Sequence, residues 1–226
     1  MAELSTRQFG DFLVVTIPSG EPWEENCYLV RHEDSREQVL IDPGGPAEMI
    51  AKAVDQHGGR LRSILLTHAH HDHVAAVTEL RRRHQIPCYL HAHDTKLLRH
   101  APIYTVRFGG EPMEPVRDVS TFQGEPDFPF GDGHISTIHT PGHTAGGVVY
   151  CLPAFTFTGD TLFNRRVGRT DLPGGDAAAL SSSIGRLLDR LPGDAVLFPG
   201  HGRPWVAAEA RAWWLGLSDI PPEFQS

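Results

Sequence analysis

The chain has 226 residues, with 20 Lys and Arg against 28 Asp and Glu and a formal net charge of −8. That length suits one large α/β domain, and the acidic balance argues against a nucleic-acid partner. Three scattered cysteines without a CxxC pair exclude a disulfide framework or a zinc ribbon. The lack of a signal-type N-terminus or of an apolar run of ~20 residues makes a cytoplasmic protein with no membrane partner the expectation.

FLVVTI (12–17), NCYLV (26–30) and QVLIDP (38–43) read as consecutive strands, rich in β-branched residues and bounded by Gly, Pro or charge. A helix is predicted from Ala47 to about Gln56, then the strand SILL (63–66) and a helix from about Val74 to His84. Arg81-Arg82-Arg83 falls at the end of that helix and reads as a solvated face rather than a nucleic-acid patch. A strand over Ile86–Leu90 and a short helix over His93–His100, started near Asp94, come next. Residues 101–130 are rich in Pro and Gly with little periodicity, and read as a surface excursion that lies partly over a site. HISTIHT (134–140), GVVYCL (147–152) and FTFTG (155–159) read as strands. A helix follows from about Asp176 to Leu191, then a strand AVLFPG (195–200) and a final helix from Ala207 to Leu217, in which Trp213 and Trp214 are packing residues. The layout predicts two sheet-forming halves with helices outside, in layers helix–sheet–sheet–helix.

The chemistry concentrates at THAHHDH (67–73). Five metal-type side chains in six residues would repel one another and cost desolvation if buried without a cation. Three more ligand types sit on Gly- or Pro-containing turns past predicted strands: His143, Asp160 and His201. An isolated histidine at such a place is ordinarily only hydrogen-bonded. With His68, His70, Asp72 and His73, however, they make a set of imidazoles and carboxylates suited to zinc, iron or manganese at ~2.0–2.2 Å. Seven ligands are too many for one tetrahedral ion and about right for two. His68 and His70 can turn to one ion, Asp72 and His73 to a second, and Asp160 is the candidate to bridge them ~3.5–4 Å apart. His71 faces away on alternation and reads as an exposed bystander.

T-H-A-H-H-D-H, with P-G-H-T at 141–144, T-G-D at 158–160 and P-G-H-G at 199–202, resembles the metallo-β-lactamase-fold superfamily over nearly the whole chain. The resemblance implies a four-layer αββα sandwich with a metal site at one edge of the sheets. It implies that His68, His70 and His143 bind a first metal and Asp72, His73 and His201 a second, with Asp160 bridging. Asp42, in LIDPGG, would brace the metal loop from behind. Asp160 stands where common zinc β-lactamases have cysteine, His70 where flavodiiron proteins have glutamate, and Phe163 where lactone-cleaving relatives have tyrosine.

The best match within the superfamily is the glyoxalase II-like hydrolases, in a small single-domain form spanning 1–226 without the C-terminal helical domain. GDTLFNRRVGRTDLPGGD (159–176) is similar to their substrate-side loop, which implies substrate contacts for Asn164, Arg166 and Arg169. The function implied is hydrolysis of a small-molecule acyl thioester, hydroxyacylglutathione or another acyl thiol, by a water activated between two metals. Asp72 and His73 would be the catalytic pair, with Zn2+ the first choice and Fe or Mn the alternatives. Two other readings remain. One is a mononuclear iron persulfide dioxygenase, which shares G-R-T-D (168–171) but differs at the last motif. The other is a thioesterase acting on acyl-coenzyme A or an acyl-carrier protein. A non-catalytic binding protein is disfavoured by the presence of all seven ligands. No G-x-S-x-G elbow is present, and Cys27 and Cys151 fall within strands as buried small apolar groups.

Overall fold

The structure, a computed structural model, describes residues 4–20 and 23–218. Strands β1 (Ser5–Phe9) and β2 (Phe12–Pro18) form a hairpin, followed by β3 (Asn26–His32) and β4 (Glu37–Ile41). Helix α1 (Ala47–His57) leads to β5 (Arg60–Leu65). The single turn α2 (His71–Val74) and α3 (Val77–His84) lead to β6 (Cys88–His91), and α4 (Thr95–Arg107) to β7 (Ser120–Phe122). These seven strands form one sheet in sequence order, antiparallel from β1 to β4 and parallel from β4 to β7.

The second sheet comprises β8 (Phe128–Phe130), β9 (Gly133–His139), β10 (Val148–Leu152) and β11 (Phe155–Gly159). After a small hairpin of β12 (Leu162–Phe163) and β13 (Arg166–Val167), helix α5 (Ala177–Arg190) crosses back. Then β14 (Val196–Pro199), β15 (Trp205–Val206) and α6 (Ala207–Ser218) complete it, in the order β15-β14-β11-β10-β9-β8.

Strand alternation explains the layering. Val14, Tyr28, Val30, Val39 and Ile41 face the second sheet and meet Phe130, Tyr150, Phe155, Phe157 and Phe198. Their neighbours Val15, Leu29 and Leu40 face the other way, onto Ile50, Val54, Val77 and Leu80 of the helices. On the far side of the second sheet, Val149 and Leu197 pack on Leu180, Ile184, Leu187 and Leu188 of α5. Strands apolar on both faces are buried on both faces, and three apolar layers make the four-layer αββα sandwich. Each fully buried branched side chain contributes about 1.5–3 kcal/mol to that packing.

Most predicted elements stand within a few residues of the observed ones, and the differences have causes. β1 was not expected, because STRQF carries one apolar residue; its backbone pairs with β2 regardless. The helix expected over 74–84 is two pieces, α2 and α3, divided at Ala75-Ala76. The expected excursion at 101–130 is more ordered than its composition implies. α4 runs through Pro102 to Arg107, giving up one backbone hydrogen bond, because Leu98, Ala101 and Thr105 share a buried face. β7 and β8 then add an edge strand to each sheet. Trp213 packs against Trp205 at 5.8 Å between ring centroids, and Trp214 joins the same apolar layer.

Candidate metal centre

Strand ends converge at one edge of the sandwich. β4, β5 and β6 run parallel and deliver Asp42, the 67–70 segment and the 91–94 turn to that edge. β11 and β14 are also parallel, with Gly159 opposite Pro199, so Asp160 and His201 emerge side by side. The Val148 amide donates to the Thr67 carbonyl at 2.9 Å, joining the two sheets beside the cluster.

All seven sequence-predicted ligands meet there. His68, His70 and His143 offer ligand atoms within 4.8 Å of one another, and so do Asp72, His73 and His201. Asp160 lies between the two groups. Its Oδ1 is 3.3 Å from His73 Nε2, and its Oδ2 is 3.5 Å from His143 Nε2 and 3.6 Å from His201 Nε2. Asp72 Oδ2 is 3.4 Å from His201 Nε2, and His70 Nδ1 is 2.8 Å from His143 Nε2.

Four of the five imidazoles are held from behind by their other nitrogen. His68 Nδ1 meets Thr67 Oγ1 at 3.1 Å, and His73 Nδ1 meets Asp42 Oδ2 at 3.0 Å. His143 Nδ1 meets the Arg169 carbonyl at 2.8 Å, and His201 Nδ1 the Trp23 carbonyl at 3.0 Å. Asp42 also accepts from the Thr67 amide at 2.7 Å and from the Thr67 hydroxyl. It adopts φ 48° to do so, turning the chain directly after β4.

Several of the inward atoms have nothing comparable. His68 Nε2, His73 Nε2 and Asp160 Oδ1 are buried without a hydrogen-bond partner. Orphaned buried donors and acceptors facing one another are costly unless a cation gathers them, so the donor set fits divalent metal. Burial pushes the His68 imidazole well down and that of His70 to about 3, keeping both neutral as metal ligands require. Burial opposes charge on His73 as well, but Asp160 and Asp72 beside it hold its pKa well above the ordinary value. Burial likewise opposes the ionised Asp72 and Asp160, but His73 and His201 together with the neighbouring imidazoles outweigh it and hold both carboxyls low.

Two glycines are required by this crowding. A Cβ on Gly200 would lie 2.2 Å from Asp160 Oδ1, and one on Gly44 would lie 1.4 Å from the Asp72 carbonyl oxygen.

Residues that the sequence reading missed complete the floor. Asp94, expected only as a helix start, is buried and accepts from the Ala69 amide at 3.1 Å, Thr144 Oγ1 at 2.8 Å and the Gly146 amide at 2.7 Å. It thereby ties the His68–His70 segment to the His143 loop. Glu25 is fully buried with both carboxyl oxygens unpartnered, and burial pushes its pKa well up. Glu25 pairs in a single β-bridge with His201, and next to it Asn26 Nδ2 donates to the Pro199 carbonyl at 3.1 Å and the Gly202 carbonyl at 2.8 Å. Tyr28 Oη adds a bond to the Pro199 carbonyl at 2.6 Å.

His71 corrects an expectation. It is buried, not exposed, because α2 begins there and ends the alternation of extended chain. Its ring packs on Trp23 at 4.7 Å and Phe108 at 5.5 Å. Trp23, His71 and Phe108, with Tyr104 and Leu97, form the apolar wall of a cavity of about 790 Å³ above the cluster. The former excursion thus contributes Tyr104 and Phe108. The cavity is also lined by Asn164, Arg165, Arg166, Arg169 and Arg203. Arg169 donates to both carboxyl oxygens of Asp171 at 2.7 Å, so its guanidinium is already engaged. Among the described residues, Arg166 and Arg203 have no ion-pair partner; Arg203 lay outside the sequence reading because it falls past the last motif.

Two sheets with a histidine–carboxylate cluster at their shared edge define an αββα metal-centre protein. Residues 20–201 match the model of the Metallo-beta-lactamase superfamily, and the chain belongs to that family. It is 34% identical to hydroxyacylglutathione hydrolase GloC of Haemophilus influenzae, over 80% of this chain and 86% of that protein. Among solved structures it is similar to BLEG-1 B3 metallo-beta-lactamase, with a TM-score of 0.80 and 33% identity, covering 94% of this chain and 100% of that one. It is also similar to TTHA1623 in a di-iron-bound form, with a TM-score of 0.76 and 36% identity, covering 85% and 95% respectively.

Proposed function

We propose that the chain hydrolyses an acyl thioester with two divalent cations, Zn2+ first and Fe or Mn as alternatives. His68, His70 and His143 would hold one cation and Asp72, His73 and His201 the other, with Asp160 shared. The observation that carries this reading is the convergence of seven donors, several of them buried and otherwise unpartnered, on one point. Two donor triads with a carboxylate between them favour a two-metal hydrolase over a persulfide dioxygenase with a single iron. The likeness to the hydroxyacylglutathione hydrolase GloC supports the thioester.

When bound, the cations supply a strongly acidified water and a Lewis acid for the carbonyl oxygen. The chain's own residues do the rest. Asp72 faces the cavity, fixed by His201, and is placed to orient the attacking water. His73 is fully buried and does not line the cavity, so its part in catalysis is to position Asp72 and Asp160 from below. Trp23, Tyr104 and Phe108 exclude water from the acyl side. Arg166 and Arg203 offer bidentate donors to carboxylates or phosphates on the thiol side, as glutathione, coenzyme A or a carrier-protein arm would present.

The test is a metal count on the purified chain together with assays on S-lactoylglutathione, an acyl-coenzyme A panel and glutathione persulfide. Two metals per chain and thioester cleavage are expected. One iron per chain with oxygen uptake on the persulfide would overturn the reading.

A further inference from the structure

The chain uses one tripeptide twice, at the ends of two adjacent parallel strands. His68-Ala69-His70 follows β5 and enters the metal centre. His91-Ala92-His93 closes β6 and opens the turn into α4. The first pair is joined by His143, from the loop after β9; the second is met by His139, the last residue of β9 itself. The His91 ring lies 4.3 Å from that of His139 and 4.8 Å from that of His93, centroid to centroid. Each of the three imidazoles offers a nitrogen within 4.8 Å of the others.

We propose that His91, His93 and His139 form a further binding site, separate from the metal centre, for a nitrogen-preferring divalent cation such as Zn2+. Three imidazoles with a fourth position left to water is a donor set that zinc accepts. His139 Nε2 is 3.1 Å from the Ala145 carbonyl oxygen, which leaves Nδ1 as the ligand atom and fixes the ring as such ligands require. His91 is buried, and burial with His139 and His93 beside it pushes its pKa to about 4, so the ring is neutral and keeps one lone-pair nitrogen; its Nδ1 accepts a long 3.4 Å bond from the His93 amide, which a cation on that atom would replace. His93 is exposed and gives a cation access from solvent. Packing alone accounts for the His91–His139 stack against Phe122, but not for a third imidazole brought to the same point from a surface position. The nearby cations are already engaged: Arg190 with Glu125 at 2.9 Å, and Arg186 with the His139 carbonyl and Ser183. The site backs onto residues 144–146, the segment that Asp94 holds from its other side.

The experiment is equilibrium dialysis of the metal-stripped, tag-free chain against micromolar Zn2+, with His93→Ala and His139→Gln alongside. Each variant is expected to hold one zinc equivalent fewer than the unmodified chain, with an unchanged circular dichroism spectrum. Since His93 is exposed, its replacement leaves the fold intact. Equal zinc content in all three would overturn the site. The difference is independent of how many cations the main cluster holds, so failure of the two-metal reading and failure of this one are distinguishable.

Discussion

On the floor of the cavity, His68, His73, His143 and His201 are each fixed from behind by a hydroxyl, a carboxylate or a backbone carbonyl. On its rim, among the described residues, Arg166 and Arg203 have no ion-pair partner, and Trp23, His71 and Phe108 pack ring against ring. The contrast teaches a division of labour. Bond breaking needs donors fixed to within a fraction of an ångström, and so demands satisfied supports. Substrate recognition tolerates a looser fit, and the rim is where relatives of one fold can differ in substrate.

Breaking the floor has the largest expected effect. Asp160→Asn removes the carboxylate that stands between the two donor groups. On the proposed function, thioester turnover is expected to fall by about a thousandfold, near 4 kcal/mol of transition-state stabilisation, with metal content reduced in elemental analysis. Unchanged turnover would remove Asp160 from the mechanism. Next comes the support beneath. Asp42→Ala strands the Thr67 amide and hydroxyl and His73 Nδ1, all buried, and is expected to cost about 3 kcal/mol in urea unfolding of the metal-free chain. Metal affinity should drop ~10–100-fold with it; an unaltered unfolding midpoint would show the support to be dispensable.

The rim should respond more gently. Arg203→Ala is expected to raise KM about tenfold for an anionic thiol ester at constant kcat, roughly 1.4 kcal/mol of uniform binding. Arg169→Ala, whose guanidinium is engaged by Asp171, should change KM far less. Steady-state kinetics on the two variants sharpen the comparison, and a reversed order would mean that the Asp171 pair opens to take substrate.

The floor was also the more legible region. THAHHDH and the strand-end His143, Asp160 and His201 announce themselves because such side chains do not crowd together without a cation, and the alternation of FLVVTI, NCYLV and QVLI gives the layers directly. What could not be read is what depends on tertiary contact. Asp94 looks like a helix start and acts across 25 and 52 residues, on Ala69 and Gly146. Glu25 looks like a surface charge ahead of a strand and is fully buried. His71 was misjudged because alternation was carried one residue past the point where helix begins. Pro102 and the glycines nearby hid the second half of α4, whose buried face outweighs one lost hydrogen bond.

The bonds from Asn26 and Tyr28 to the Pro199 and Gly202 carbonyls carry a last consequence, one of timing. They join positions 171–176 residues apart, so the turn bearing His201, which β14 and β11 set beside Asp160, meets the THAHHDH segment only once the first sheet has met the second. Contacts of such long range form late, because the chain between them must first surrender its freedom. A folding chain therefore holds the donors of THAHHDH long before it can complete the set. On the proposed ligand set, binding of metal through His201 would mark the moment at which the sandwich has closed.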